Sequence, residues 1–363
     1  MSHCLEPTEI LERLIAIPSV TGSEAALAVY CETFLQTLGF DCIRQQLADG
    51  RWNVLATRGE APALLLYAHL DTVAPDPAWE QDPYQMQVFG DQLRGLGASD
   101  MKGGLAVMLA AAANSRAPLR IALGVDEEAW SAGAWTLANS GWCQGLKLVL
   151  VPELSIDSPC EVLGIGRRGH AAFVLRTYGP RQHGAIALSQ PAAIEQACRM
   201  VLALRQNIGP DEGLVIRSIE ASSSDLTVPA DCEVAISWLM RPGRSAAALL
   251  SELQALALTY AGEAKAAVRP TPVPEAYAIA EGDAAVIWVQ NMARSTLGRE
   301  IETAFGLSVA DENVLATLGV PVLSLAPVGG ASHRAGEWVS QASLERVHGL
   351  YTALIDGFDA AGL

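Results

Sequence analysis

The sequence predicts an α/β protein: a mostly parallel, twisted sheet flanked by helices, into which a smaller α+β layer is inserted. Three observations lead there. Short apolar runs at 63–68, 121–125, 146–151 and 320–325 alternate with segments of helical spacing, the order expected of a parallel sheet with helical crossovers. Between 164 and 274 the texture changes to strand, helix, two strands, helix and strand. The length of 363 residues also suits two domains better than one.

Taken in order, residues 7–16 and 23–39 have helical spacing, and Thr21 with Glu24 has the form of a capping box at the second helix. The run 63–68 ends at His69. A Gly-rich loop, Gly97-Ala-Ser-Asp-Met-Lys-Gly-Gly104, opens a small-residue helix over 105–113. The run 121–125 ends in Asp126-Glu127-Glu128, and 146–151 closes at Pro152-Glu153. In the insert, 171–177, 213–219 and 232–239 read as strands, whereas 192–205 and 246–260 are helical. Strand 320–325 and a final helix over 342–358 return to the first texture. The predicted domains are therefore 1–163 with 275–363, and 164–274.

Half the residues are hydrophobic and 18% are charged, enough apolar material for two cores. No apolar stretch reaches the roughly 18 residues that a membrane helix requires. The acidic start is unlike a signal peptide, so a soluble, cytoplasmic protein is expected. The net charge of −16 repels phosphate backbones and anionic lipid, which argues against nucleic acid and membranes as partners. Seven cysteines, with no CxxC pair, read as reduced thiols rather than disulfides or a cysteine metal site.

In open α/β sheets, ligands bind beyond the carboxyl ends of the strands. Three of the predicted strands end in metal-capable residues: His69 and Asp71, Glu127 and Glu128, and Glu153. The fourth leads through Gly329-Gly330 to His333, and Asp100 lies in the loop that opens a helix. A lone histidine at a strand end is more often structural. Five such positions at one sheet edge are hard to attribute to chance.

These segments resemble the M20 family of zinc peptidases and deacylases, whose members include acetylornithine deacetylase, succinyl-diaminopimelate desuccinylase and acetyl-lysine deacetylase. Tyr67-Ala-His-Leu-Asp-Thr-Val73 resembles the family's His-x-Asp strand end, and 95–104 its bridging-aspartate loop. Val125-Asp-Glu-Glu128 resembles its base-plus-ligand pair, Val151-Pro-Glu-Leu-Ser155 a variant of its Gly-Glu-Pro-Thr, and His333-Arg-Ala-Gly-Glu-Trp-Val339 its closing His-x-x-x-Glu. The matches keep the family's order from about residue 8 to 357.

The resemblance implies two zinc ions, with Co²⁺ or Mn²⁺ as substitutes. Asp100 bridges them, His69 and Glu153 complete one site, and Glu128 and His333 the other; imidazole nitrogen and carboxylate oxygen suit such ions. Asp71 is expected to hold the His69 ring, and Glu127 to act as general base. His183, in Gly179-Pro-Arg-Gln-His-Gly184, is expected to reach the active site of a partner subunit, which implies a homodimer formed through the inserted lid and dimerisation domain. The implied substrate is a small N-acyl amino acid, of acetylornithine or acetyl-lysine type, and Glu at 153 favours deacylation within the family.

Three segments depart from the family. Ser222-Ser-Ser-Asp-Leu-Thr-Val-Pro229 has Leu226 where asparagine is usual. Ile236-Ser-Trp-Leu-Met-Arg-Pro-Gly243 leaves Arg241 as a stand-in for a displaced arginine. Ala310-Asp-Glu-Asn313 is closest to the acetyl-lysine deacetylase branch. Two other readings stay open: a dipeptidase or carboxypeptidase with the same centre, and a non-catalytic metal-binding member of the fold. Gly164-Ile-Gly-Arg-Arg-Gly169 has the dinucleotide pattern, but a strand-like segment follows it where a helix is required. His170, His3 and His348 read as structural or surface residues.

Overall fold

The computed structural model describes residues 6–153, 158–186, 191–209, 212–223, 226–261, 264–268 and 274–363. His3, Leu154, Ser155, Ser224 and Asp225, which entered the sequence reading, lie outside these. The chain divides into two compact units, Met1–Gly166 with Ala278–Leu363, and Arg167–Tyr277.

The first part of the chain forms α1 (Pro7–Ile15), α2 (Ala25–Thr37), β1 (Asp41–Gln46), β2 (Trp52–Arg58), β3 (Leu64–His69), β4 (Gln87–Phe89), β5 (Gln92–Arg94), α3 (Lys102–Asn114), β6 (Leu119–Gly124), α4 (Ala132–Ala138), β7 (Leu148–Val151) and β8 (Leu163–Arg167). The middle forms β9 (Gly169–Tyr178), α5 (Ala193–Gln206), β10 (Gly213–Glu220), β11 (Asp231–Met240), α6 (Ala246–Ala261) and β12 (Ala264–Val268). The rest forms β13 (Tyr277–Ala278), α7 (Ala284–Leu297), β14 (Thr303–Gly306), α8 (Asp311–Leu315), β15 (Val322–Ser324), β16 (Gly329–Gly330), β17 (Trp338–Ser340) and α9 (Gln341–Gly357).

The large sheet runs β1-β2-β6-β3-β7-β15-β8-β13, with β14 beside β8. Its centre, β6-β3-β7-β15, is parallel, and the continuous apolar runs Leu64-Leu-Leu-Tyr-Ala68 and Leu148-Val-Leu-Val151 are buried throughout. The flanks are antiparallel, so the sheet is mixed rather than mostly parallel. The β1–β2 hairpin was not predicted. Its first strand buries little, and an Asp49-Gly50 turn with Gly50 at φ +87° joins it to the second. A small sheet, β16-β17-β5-β4, was also not foreseen, because its strands are two or three residues long.

Helix α3 is buried on nearly every side and packs against α1 and α9. Its glycines explain how closely it sits. A Cβ on Gly104 would lie 1.7 Å from the Pro152 carbonyl oxygen, and one on Gly103 would lie 2.4 Å from that of Ala98. His348 is a correction: it is half-buried, with Nε2 2.9 Å from the Asn114 amide, rather than a surface residue.

The second unit is an antiparallel sheet, β10-β11-β9-β12, packed against α5 and α6. Alternate residues Ala171, Phe173 and Leu175 of β9 meet Ala197, Met200, Leu249 and Leu253 in its core. The glycine-rich 164–169 segment runs from β8 into β9 with no helix following, so the dinucleotide pattern is coincidental. The described cysteines are free thiols. Among the described residues, no helix is long and apolar enough to cross a membrane.

Candidate metal centre

The carboxyl ends of three parallel strands converge. His69 ends β3, Glu127 and Glu128 follow β6, and Glu153 follows β7. Asp100 stands just before α3. His333 follows β16 with φ +64°, and its side chain is half exposed.

Asp100 sits between two clusters. His69 Nε2 is 3.2 Å from Asp100 Oδ1 and 4.0 Å from Glu153 Oε2. On the other side, His333 Nε2 is 3.2 Å from Asp100 Oδ2 and 3.0 Å from Glu128 Oε2. Ligand bonds of 2.0–2.1 Å in a tetrahedron place donor atoms about 3.3 Å apart, and Asp100, Glu128 and His333, with three donor atoms all within 4.8 Å of one another, have the spacing of donors around one cation. The His69 cluster is looser, with Glu153 4.0 Å from the ring. The donor set at Asp100, Glu128 and His333 therefore fits a divalent cation, and the other Asp100 oxygen faces His69.

The charges agree with that fit. Burial alone would depress His69, but the carboxylates of Asp100 and Asp71 outweigh it and raise its proton affinity well above the usual value. Hydrogen bonds to Asp100 and Glu128 push His333 up to about 10. Burial, together with Glu153, Asp311 and Glu128, raises Glu127 well above the ordinary carboxylate range, with His69 opposing. Burial also raises Glu128. So many acids in one desolvated place hold protons when no cation is bound, and a cation that displaces those protons is favoured there.

Asp71 organises the centre in an unexpected way. His69 Nδ1 is 3.0 Å from the Asp71 carbonyl oxygen and 3.6 Å from its carboxylate, so the main chain is the nearer holder of the ring. The carboxylate instead accepts the backbone N–H of Glu127 through Oδ1 and that of Glu128 through Oδ2, both at 3.1 Å, and the Thr21 hydroxyl at 3.0 Å. The predicted capping box is absent. Thr21 spends its hydroxyl on Asp71, and Glu24 caps nothing in α2.

Two buried acids were not given roles by the sequence reading. Glu337 is buried and accepts the N–H of Ser99, Asp100 and Gly97 at 2.8, 2.9 and 2.8 Å, which fixes the loop that carries Asp100. Burial pushes it up to about 7. Its place in His-x-x-x-Glu was the only signal. Asp311 accepts the Tyr67 hydroxyl, and burial pushes it up to about 7. Asp311 was seen only as part of a segment that departs from the family. His183 and Arg241 belong to the second compact unit, and both are exposed. His183 pairs with Thr227 in a single antiparallel bridge.

The family described as Peptidase family M20/M25/M40 matches residues 65–357. A succinyl-diaminopimelate desuccinylase of Xylella fastidiosa (strain 9a5c) is 30% identical over 375 residues, covering 94% of this chain and 96% of the relative. The crystal structure of aminopeptidase PepT from Bacillus cereus ATCC 10987 is similar with a TM-score of 0.80 at 17% identity, over 97% of each chain. A dinuclear metal-binding peptidase of the M20 family from Bacillus subtilis is similar with a TM-score of 0.71 at 14% identity, over 96% of each chain.

Proposed function

Since the chain belongs to peptidase family M20/M25/M40 and is a metal-dependent amidohydrolase of that family, we propose that it removes the acyl group from an N-acyl amino acid. The observation that carries this reading is the pair of imidazole–carboxylate clusters meeting at Asp100, with Glu127 beside them. The desuccinylase relative, alike over nearly its whole length, supports deacylation; the aminopeptidase likeness, at 17% identity, speaks to the fold alone.

In this reading His69, Asp100 and Glu153 hold one ion, and Asp100, Glu128 and His333 a second, with zinc the expected metal. The two imidazoles, one on each side of Asp100, support the count of two. Divalent cations held there would supply Lewis acidity for the scissile carbonyl and lower the pKa of water. Glu127 takes a proton from the attacking water and delivers it to the leaving amine. The cations offset the acids that raise Glu127, which keeps it ionised for that task. Asp71, accepting from the N–H groups of both Glu127 and Glu128, keeps base and ligand in register. His183, exposed in the second unit, is assigned to oxyanion binding in a partner subunit.

The test is release of free amine from N-succinyl-diaminopimelate, N-acetylornithine, N-acetyl-lysine and a set of dipeptides, with zinc or cobalt supplied. Glu127→Ala should lower kcat by roughly 10²- to 10⁴-fold with bound metal unchanged. Preferential cleavage of dipeptides would refute the substrate class. Full activity of Glu127→Ala would refute the base.

A further inference from the structure

The Thr21–Glu24 turn has the sequence of a helix cap and does not act as one; each side chain is linked to the acidic turn 126–128 through one intermediary, Asp71 or Arg51. Thr21 donates to Asp71, which holds the Glu127 and Glu128 amides. Glu24 Oε1 accepts from Arg51 NH1 at 2.9 Å, and Arg51 NH2 donates to Asp126 Oδ1 at 2.6 Å. Glu24 and Asp126 are buried, with side chains 2% and 6% exposed, and Arg51 is 22% exposed at the tip of the β1–β2 hairpin.

Asp126 is the pivot of that turn. Its φ of +76° lies in the left-handed region, which a non-glycine residue holds only where its surroundings impose it. Its other carboxylate oxygen accepts the Ala132 N–H at 3.2 Å, and its carbonyl accepts from Ser131 at 2.7 Å. The next two residues are the assigned base and ligand.

We propose that Arg51 is a positioning residue: by tying Asp126 to Glu24 it imposes the turn that presents Glu127 and Glu128. The inference rests on the roles assigned to those two glutamates above. A guanidinium suits the task because its planar fork spans two carboxylates, whereas an ammonium is a single point of charge. Glu24 and Asp126 are buried, so removing Arg51 alone leaves their charges uncompensated and costs stability as well as the placement of the turn.

The test uses the full chain with Arg51→Met, Arg51→Lys, Glu24→Gln and Asp49→Asn. Asp49 also binds Arg51, at 2.7 Å, but makes no contact with the turn. In metal-free protein, amide hydrogen exchange should speed up about tenfold or more across 126–132 in Arg51→Met, beyond any change in the parallel core strands. Affinity for added Co²⁺, read by chelator competition, should fall roughly ten- to hundredfold, and kcat should fall with KM nearly unchanged. Arg51→Lys and Glu24→Gln should be intermediate, and Asp49→Asn should match the wild type. The proposal is overturned if exchange in the turn and Co²⁺ affinity in Arg51→Met, or in the two intermediate variants where Met does not fold, stay within about twofold of the wild type. A wild type that hydrolyses nothing on the panel would sink the deacylase reading while leaving the exchange and Co²⁺ results to decide this one.

Discussion

The carboxylate of Glu337 accepts the backbone N–H of Asp100 at 2.9 Å, across 237 positions of sequence, and does the same for Ser99 and Gly97. A carboxylate, with acceptors on both oxygens, can take all three. Glu337→Gln turns an amide NH₂ toward a backbone N–H and leaves buried donors unmet. We expect a loss of about 1–3 kcal/mol in stability. Metal affinity should fall roughly ten- to hundredfold, because the bridging loop loses its anchor. Urea unfolding and chelator competition on the purified variant check both, and wild-type values in each would contradict this role.

Gly104 sets the distance between α3 and the end of β7. In an open helix, alanine for glycine gains up to about 1 kcal/mol. Here the new Cβ would lie 1.7 Å from the Pro152 carbonyl oxygen, a backbone atom next to Glu153. Overpacking of that kind costs about 1–3 kcal/mol, so Gly104→Ala should be net destabilising and weaken the cluster at His69. Gly349→Ala in α9, where nothing lies within 4 Å of the added atom, should be neutral or stabilising. Thermal unfolding of the two variants side by side tests the contrast, and equal melting temperatures would refute it.

Stability should depend on pH with a sign that metal reverses. His333, pushed up to about 10 by Asp100 and Glu128, and Asp311, pushed up to about 7 by burial, both have folded values above those of the unfolded chain. Each contributes stability to the metal-free protein that is complete below its unfolded value and lost as pH rises through the folded one. The metal-free urea midpoint should therefore fall from about pH 4 to about 10, through Asp311's window up to about 7 and through His333's from about 6.5. Zinc competes with protons for the same atoms, so the zinc-loaded midpoint should rise relative to the metal-free one across that window. A metal-free midpoint that climbs over this range would rule the account out.

The assignment of His183 to a partner subunit has a decisive test. Glu127→Ala and His183→Ala homodimers should each be nearly inactive. Mixed under subunit exchange, they form heterodimers with one intact site, so activity should return to roughly a quarter of the wild type. If His183 served its own subunit, mixing would restore nothing.

The metal-capable residues were legible one segment at a time. His69, Glu127 with Glu128, and Glu153 each end a short apolar run, and a run of that composition is a buried parallel strand wherever it lies in the chain. Strand ends at one edge of a sheet share a site by topology, so the constellation did not depend on detailed packing. The reversed flanks of the sheet, the role of Glu337 and the outward turn of Thr21 and Glu24 were decided only by the tertiary structure. The partners involved are 50, 75 and 240 positions apart, as in Thr21 with Asp71, Arg51 with Asp126, and Glu337 with Gly97. Thr21 and Glu24 show the physical reason. The same two side chains have the form of a local capping pattern but serve distant partners, an acceptor at Asp71 and a donor at Arg51. Buried carboxylates left without donors cost more than a helix end that water can solvate, so the distant partners win.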